Sequence, residues 1–155
     1  MKRVDANDSV AICYMGIDSY NKGDYKAGFE YLTRAVTLDN MDAHNKLSSL
    51  YYDGKGVEKD KKRFLHHAEK AAIGGHPEAR YNLGCVEKDN GRVDRAAKHW
   101  IIAAKHGDDE SLEAVKGLYK AGNLSKDDFT AALRGYQTAI NATKSPQREE
   151  AYKYL

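Results

Sequence analysis

Apolar and small side chains recur along this chain at a spacing that predicts paired helices. At four places an alanine is followed four residues later by a larger apolar residue: Ala11 and Met15, Ala43 and Leu47, Ala79 and Leu83, Ala114 and Leu118. Residues four apart lie on one face of an α-helix, so each pair marks the buried face of a helix. Successive alanines of this set are 32, 36 and 35 residues apart, which is the length of a helix-turn-helix repeat.

A turn and a second amphipathic segment follow each of these helices. The turns contain glycine or asparagine and lie at 21–23, 54–56, 90–91 and 122–123. The second segments carry paired apolar residues: Leu32 and Ala35, Ala68 and Ala72, Trp100 and Ala104, Tyr136 and Ala139. We therefore predict four repeats, at about 8–40, 41–76, 77–108 and 109–143. The dipeptide Ser145-Pro146 is typical of a helix start, which predicts a capping helix at 145–155.

The residue sizes predict how the repeats pack. Small residues at Gly16, Ser48 and Gly84 allow a first helix to approach its partner closely, and larger ones such as Leu32 and Trp100 fill the space between helices. No single repeat buries its whole apolar face, so stability must come from stacking of neighbours. The prediction is one all-α domain, 1–155, built as an α-solenoid of four repeats and a terminal helix.

Composition narrows the class of protein. The 155 residues fit one domain, and a hydrophobic share of 41% is ordinary for a globular chain. A net charge of +2 gives no reason to expect nucleic acid as a partner. No apolar stretch approaches the roughly 20 residues of a membrane span. Cys13 and Cys85 lie in neither a disulfide framework nor a metal-ligand spacing, which favours a reducing, cytoplasmic location.

Three segments resemble the motifs of one repeat family. Residues 51–60 read Tyr-Tyr-Asp-Gly-Lys-Gly-Val-Glu-Lys-Asp, which resembles the Tyr-x-x-Gly-x-Gly-Val-x-x-Asp signature of Sel1-like repeats. Residues 71–76 and 103–107 are similar to that family's Ala-Ala-x-x-Gly-His ending. The chain thus resembles the Sel1-like, tetratricopeptide-like family, and its 144–150 segment is similar to short algal members. Repeat one has an ordinary tetratricopeptide ending, repeat three lacks the glycine loop, and repeat four carries Tyr119 where a small residue is expected.

The resemblance implies a right-handed α-solenoid that acts as a scaffold or adaptor for other proteins, without catalysis or cofactor. Two alternatives stay open. One is a structural or engineered repeat segment with no specific ligand. The other is a hydrolase-like or β-lactam-binding activity, as in cysteine-rich relatives, although this chain lacks their paired cysteines within each repeat.

Candidate chemistry is weak in the sequence itself. His67 and His99 occupy equivalent positions of second helices, and we expect them to be exposed on the outer face rather than to bind a metal. Cys13 and Cys85 fall on first helices, where the register places no histidine base except His44, so a nucleophilic cysteine is not expected.

A partner is expected in the concave groove that first helices form in such stacks. The repeat register assigns eleven residues to it: Cys13, Ile17, Tyr20, Asn45, Ser49, Tyr52, Tyr81, Cys85, Lys88, Lys116 and Lys120. Tyrosines and Asn45 dominate the first two repeats and lysines the last two, which predicts an extended peptide whose acidic part lies against repeats three and four. Asn45 is expected to pair with the peptide backbone. Binding on the convex face, through His67 and His99, is the alternative.

Overall fold

The computed structural model describes residues 8–152, with side chains for 8–144. Over this part of the chain the secondary structure is eight α-helices without a strand, which confirms the all-α prediction. The helices are α1 (Ser9–Asn21), α2 (Tyr25–Thr37), α3 (Met41–Asp53), α4 (Lys61–Ile73), α5 (Pro77–Asp89), α6 (Val93–Lys105), α7 (Asp109–Lys120) and α8 (Lys126–Tyr152). They follow one another as helical hairpins, as the repeat spacing predicts.

The chain divides into two compact units at Ala79 and Arg80, where a single domain was expected from the length. The boundary falls inside α5, and the contacts of α5 explain it. Glu78, in the first turn of α5, hydrogen-bonds to α3 in unit one. Tyr81 and Cys85, one turn and two turns later, pack against the core of unit two.

In unit one the helices meet through small residues, as predicted. A Cβ on Gly16 of α1 would lie 2.9 Å from Leu32 Cγ of α2, so only glycine allows this approach. Leu32, Leu47 and Phe64 are fully buried at the centre of the packing. Four helices begin at a side chain that accepts a hydrogen bond from a backbone N–H three residues on, which satisfies a group the helix leaves unpaired. These capping residues are Asp8, Asp24, Asn40 and Asp60.

Unit two is organised around the indole ring of Trp100. The ring is buried with Val115, Leu118 and Ala132, which come from α7 and α8. Its Nε1 donates a hydrogen bond to the Tyr81 carbonyl oxygen at 3.1 Å. The buried core of unit two therefore joins helices from successive hairpins, as a stack of repeats requires.

The end of the chain differs from the prediction. Helix α8 runs without interruption from Lys126 to Tyr152, so no separate capping helix starts at Ser145. No glycine or proline lies between Gly135 and Pro146, so nothing in the sequence ends the helix before the predicted restart. The side chains of the predicted capping helix, and all of 153–155, lie outside the described residues.

Candidate functional site

Two of the eleven predicted groove residues are packing residues. Cys13 and Tyr20 are only 3% and 5% exposed. The Tyr20 hydroxyl donates a 2.6 Å hydrogen bond to the carbonyl oxygen of Lys55, in the loop between α3 and α4. The Lys46 ammonium lies 5.0 Å from the centroid of the same ring. Tyr20 therefore holds that loop in place, and the prediction that Cys13 and Tyr20 face a partner is wrong.

The α3 residues of the predicted site hold a carboxylate of the chain itself. Asn45 Nδ2 donates to Glu78 Oε2 at 3.4 Å, and Ser49 Oγ donates to Glu78 Oε1 at 3.3 Å. Glu78 is exposed and both donors are half-buried. Further along α3, Tyr52 packs on the Phe64 ring, with centroids 5.1 Å apart, and stays partly exposed. Unit one thus presents a polar surface on α3, and Ile17 of α1 is half-buried.

The predicted residues of unit two separate into packed and exposed members. Tyr81 and Cys85 contact the Trp100 core and are half-buried. Lys88 and Lys120 are exposed at the last turns of α5 and α7. The Lys116 side chain is 41% exposed, and its Nζ lies 3.1 Å from Glu113 Oε1. An exposed pair of this kind screens the lysine charge only partly.

The eleven residues are thus distributed over both units. Six belong to unit one and five to unit two. The structure brings Asn45 and Ser49 together through Glu78, and Tyr81 and Cys85 together on one turn of α5. A continuous groove that joins the two sets remains a prediction.

The two thiols are not activated. Burial raises the pKa of Cys13, and the nearby Asp42 carboxylate raises it further. Burial also raises the pKa of Cys85, opposed by hydrogen bonds from Tyr81 and Trp100. A nucleophilic cysteine requires the opposite shift, toward the thiolate.

The histidines depart from the prediction at His67. Its Nδ1 lies 2.9 Å from Nδ1 of His44, a residue that is 4% exposed in the interior of the α3–α4 hairpin. The His67 ring also stacks on Tyr51, with parallel planes and centroids 5.8 Å apart. Desolvation lowers the pKa of His67 to about 4, with further lowering by His44. The expectation of an exposed His67 is therefore wrong, and His99 is half-buried, whereas His66 and His106 are exposed.

This histidine contact was missed because the register compares equivalent positions of successive repeats. His44 and His67 belong to the two helices of one repeat. The available signal was the position of His44, which directly follows the buried Ala43 at the start of α3.

The described residues show neither a metal-ligand cluster nor a membrane-spanning helix. Within 8–144, no group of three or more His, Cys, Asp or Glu side chains is arranged to hold a metal ion. None of the helices described combines the length and the apolar character that a membrane crossing needs.

The solved structures that resemble this chain agree on its fold. No family model matches the sequence. A solved Sel1 repeat protein from Oxalobacter formigenes superposes with a TM-score of 0.68 and 26% identity, covering 88% of this chain and 59% of that one. The chain is a Sel1-like repeat protein.

Other relatives of this Sel1-like repeat protein are longer than it is. A protective antigen of uropathogenic Escherichia coli, described as displaying an SLR fold, shares the fold with a TM-score of 0.71 and 24% identity over 90% of this chain and 34% of its own. An uncharacterised protein of Neisseria meningitidis serogroup B is 32% identical over 112 residues, 67% of this chain and 22% of its own. The alginate biosynthesis protein AlgK of Pseudomonas syringae pv. tomato is 29% identical over 132 residues, 83% of this chain and 28% of its own.

The chain therefore spans about a quarter of the length of these curated relatives. Sel1-like repeat folds typically mediate protein interactions and are generally non-catalytic scaffolds.

Proposed function

We propose that this Sel1-like repeat protein is a non-catalytic binding module for an extended, acidic segment of another protein. The observation that carries the proposal is the hydrogen bonding of Asn45 and Ser49 to the carboxylate of Glu78. These two donors are spaced to hold both oxygens of one carboxylate. An aspartate or glutamate of a partner can take the place of Glu78 without any rearrangement of α3.

The charge distribution of unit two supports the same class of partner. Lys88, Lys116 and Lys120 lie on the first helices of the last two repeats, α5 and α7. Exposed lysines attract an acidic chain over roughly 8–10 Å at physiological ionic strength, mainly by raising the association rate. The partly exposed Tyr52 ring of unit one adds rigid contact area of the kind that interfaces favour.

An enzymatic role is not part of the proposal. The raised pKa of each thiol leaves little thiolate near neutral pH, which counts against the hydrolase-like alternative. The alternative of a repeat segment without any ligand is an outcome of the test below.

The test measures the binding of two fluorescent peptides by anisotropy. One peptide is rich in Asp and Glu, and the other has the same sequence with Asn and Gln in their place. We expect the acidic peptide to bind more tightly, and Lys116→Glu with Lys120→Glu to weaken its binding by about tenfold or more, since two attractive contacts become repulsive. The variant Glu78→Gln is expected to strengthen it, because the competing carboxylate is lost.

A matched control carries the same change of charge elsewhere. Lys98 and Lys144 are exposed on the second helices α6 and α8, and Lys98→Glu with Lys144→Glu is expected to have a much smaller effect. Equal weakening by both double variants would mean that only net charge matters. Equal affinity for the two peptides would refute the acidic partner. A second test compares affinity purifications from the native cell with the native protein and with the Lys116→Glu, Lys120→Glu variant. Identical sets of captured proteins would refute the basic surface.

A further inference from the structure

Two histidines face each other inside the α3–α4 hairpin, and a third, His66, lies beside both rings. Their ring centroids are 5.2 Å apart, and the two Nδ1 atoms are within hydrogen-bond distance at 2.9 Å. Phe64, Ala68 and Ala71 are buried on α4, the helix that carries His67. A hydrogen bond between two imidazoles in such a place depends on how many protons the pair holds.

The protons of the pair can be counted from the geometry. One proton lies between the two Nδ1 atoms, because the bond needs one donor and one acceptor. A neutral pair has one more proton, on an Nε2 atom. His44 Nε2 is buried without a hydrogen-bond partner among the described residues. The second proton therefore belongs on His67 Nε2, and His44 is the Nδ1–H tautomer that donates to His67.

A third proton has no favourable position. On His44 Nε2 it creates a charged, buried N–H without an acceptor, which costs more than an unpaired neutral group. Between the rings it places two N–H groups against each other and breaks the bond. Uptake of a proton is therefore incompatible with the packed pair.

The surroundings of the pair also disfavour positive charge. Burial is the largest cause of the lowered pKa of both rings. From α4, His66 lowers the pKa of both rings, Arg63 that of His67 and Lys70 that of His44. From the α2–α3 loop, Asp39 raises the pKa of His44, as the smallest contribution. Tyr51 of α3 stacks on His67 and adds no charge while its phenol is protonated.

We propose that the His44–His67 contact is a pH-sensitive joint that holds α3 against α4 while both rings are neutral and opens when the pair takes up a proton. This inference does not depend on the proposed partner. Because the folded chain binds the proton more weakly than the unfolded chain, the joint is fully stable above the unfolded pKa of about 6.5 and weakens as the pH falls below it.

The size of the effect follows from His67 alone. With a folded pKa of about 4 and an unfolded pKa of about 6.5, the opening equilibrium constant at pH 5 rises by up to about 30-fold over its value at neutral pH. Solvent reaches part of the ring and reduces this, so we expect an increase of about five- to thirtyfold.

The experiment uses the full chain and two measurements. The first is an NMR titration of the imidazole nitrogens from pH 8 to pH 4. We expect His44 and His67 to stay neutral well below the pH of about 6.5 at which a histidine ordinarily titrates. Titration of both rings near pH 6.5 would overturn the proposal, and this measurement needs no variant.

The second measurement is hydrogen exchange of the α3 and α4 amides between pH 7.5 and pH 5, corrected for intrinsic exchange rates. We expect protection to fall by about five- to thirtyfold in the native chain and in the His106→Gln control. In the double variant His44→Leu with His67→Leu, which removes both partners together, the fall should be largely absent. An undiminished fall in that variant would assign the acid sensitivity to other groups.

Discussion

The packing of unit two depends on the absence of a side chain at position 84, and Gly84→Ala tests this directly. Gly84 lies in α5 against the Trp100 ring of α6. A Cβ at this position would be 2.7 Å from Trp100 Cδ1 and 2.9 Å from Cε2, and closer still to the indole nitrogen. Non-bonded separations below 3.0 Å are essentially never found for a Cβ atom. The indole ring is rigid and has no flexible end that could move aside, so the whole ring must shift to relieve the clash.

The expected cost combines three contributions. Overpacking in a buried site costs about 1–3 kcal/mol. The shift also strains or breaks the hydrogen bond from Trp100 Nε1 to the Tyr81 carbonyl, and an unpaired buried donor costs about 1–3 kcal/mol. Alanine gains about 1 kcal/mol over glycine in a helix interior. We therefore expect Gly84→Ala to lower the free energy of unfolding by about 3 kcal/mol.

The assay is urea unfolding followed by tryptophan fluorescence. Trp100 is the single tryptophan of the chain, so its emission reports on the core of unit two. Gly117→Ala is the matched control, because Gly117 is also inside a helix of unit two but a Cβ there would meet no atom within 4 Å. That change should raise the free energy of unfolding by about 1 kcal/mol. A Gly84→Ala protein within about 0.5 kcal/mol of the native one, or an equal loss in both variants, would refute the steric argument.

Two further predictions concern residues that were first assigned to the groove. Tyr20→Phe removes the donor to the Lys55 carbonyl and should lower the free energy of unfolding by about 1 kcal/mol. The control Tyr14→Phe changes a residue that is 70% exposed and should leave the free energy of unfolding unchanged. Both are measured by urea unfolding followed by circular dichroism. The thiols of Cys13 and Cys85, whose pKa values are raised, should react with a disulfide reagent at pH 7.5 more slowly than in the urea-unfolded chain. Equal rates in the folded and unfolded chain would contradict the burial argument.

The repeat fold could be predicted from the sequence because its determinants are short-range and periodic. Gly16 and Leu32 lie on the two helices of one hairpin, and so do Gly84 and Trp100. In each pair the small residue contacts the large one on the facing helix. The structure confirms both contacts. The glycine loop between α3 and α4 was predictable for the same reason, since Gly54 and Gly56 adopt positive φ values of 69° and 78°, which other residues rarely tolerate.

The functional surface was less predictable because equivalence between repeats does not fix the environment of a side chain. The register places Tyr20 and Tyr52 at equivalent positions of successive repeats, yet Tyr20 is buried under the α3–α4 loop and Tyr52 is partly exposed. The long loop that follows α3, between Asp53 and Lys61, reaches back to Tyr20 of the preceding repeat. Contacts between the two helices of one repeat, such as His44 with His67, are likewise invisible to a comparison between repeats.

The internal bonds of the α3 surface bear on what kind of binding it supports. If a partner carboxylate replaces Glu78 at Asn45 and Ser49, one set of hydrogen bonds is exchanged for another of the same type, so the exchange itself contributes little free energy. Under the proposed function, affinity must then come from other contacts, namely the attraction of Lys88 and Lys120 for acidic groups and the exposed part of the Tyr52 ring. Because exposed charges are screened by salt, binding of this kind is expected to be selective for acidic segments, modest in strength and sensitive to ionic strength. The proposed exchange at α3 favours a carboxylate, and the lysines of unit two favour an acidic chain.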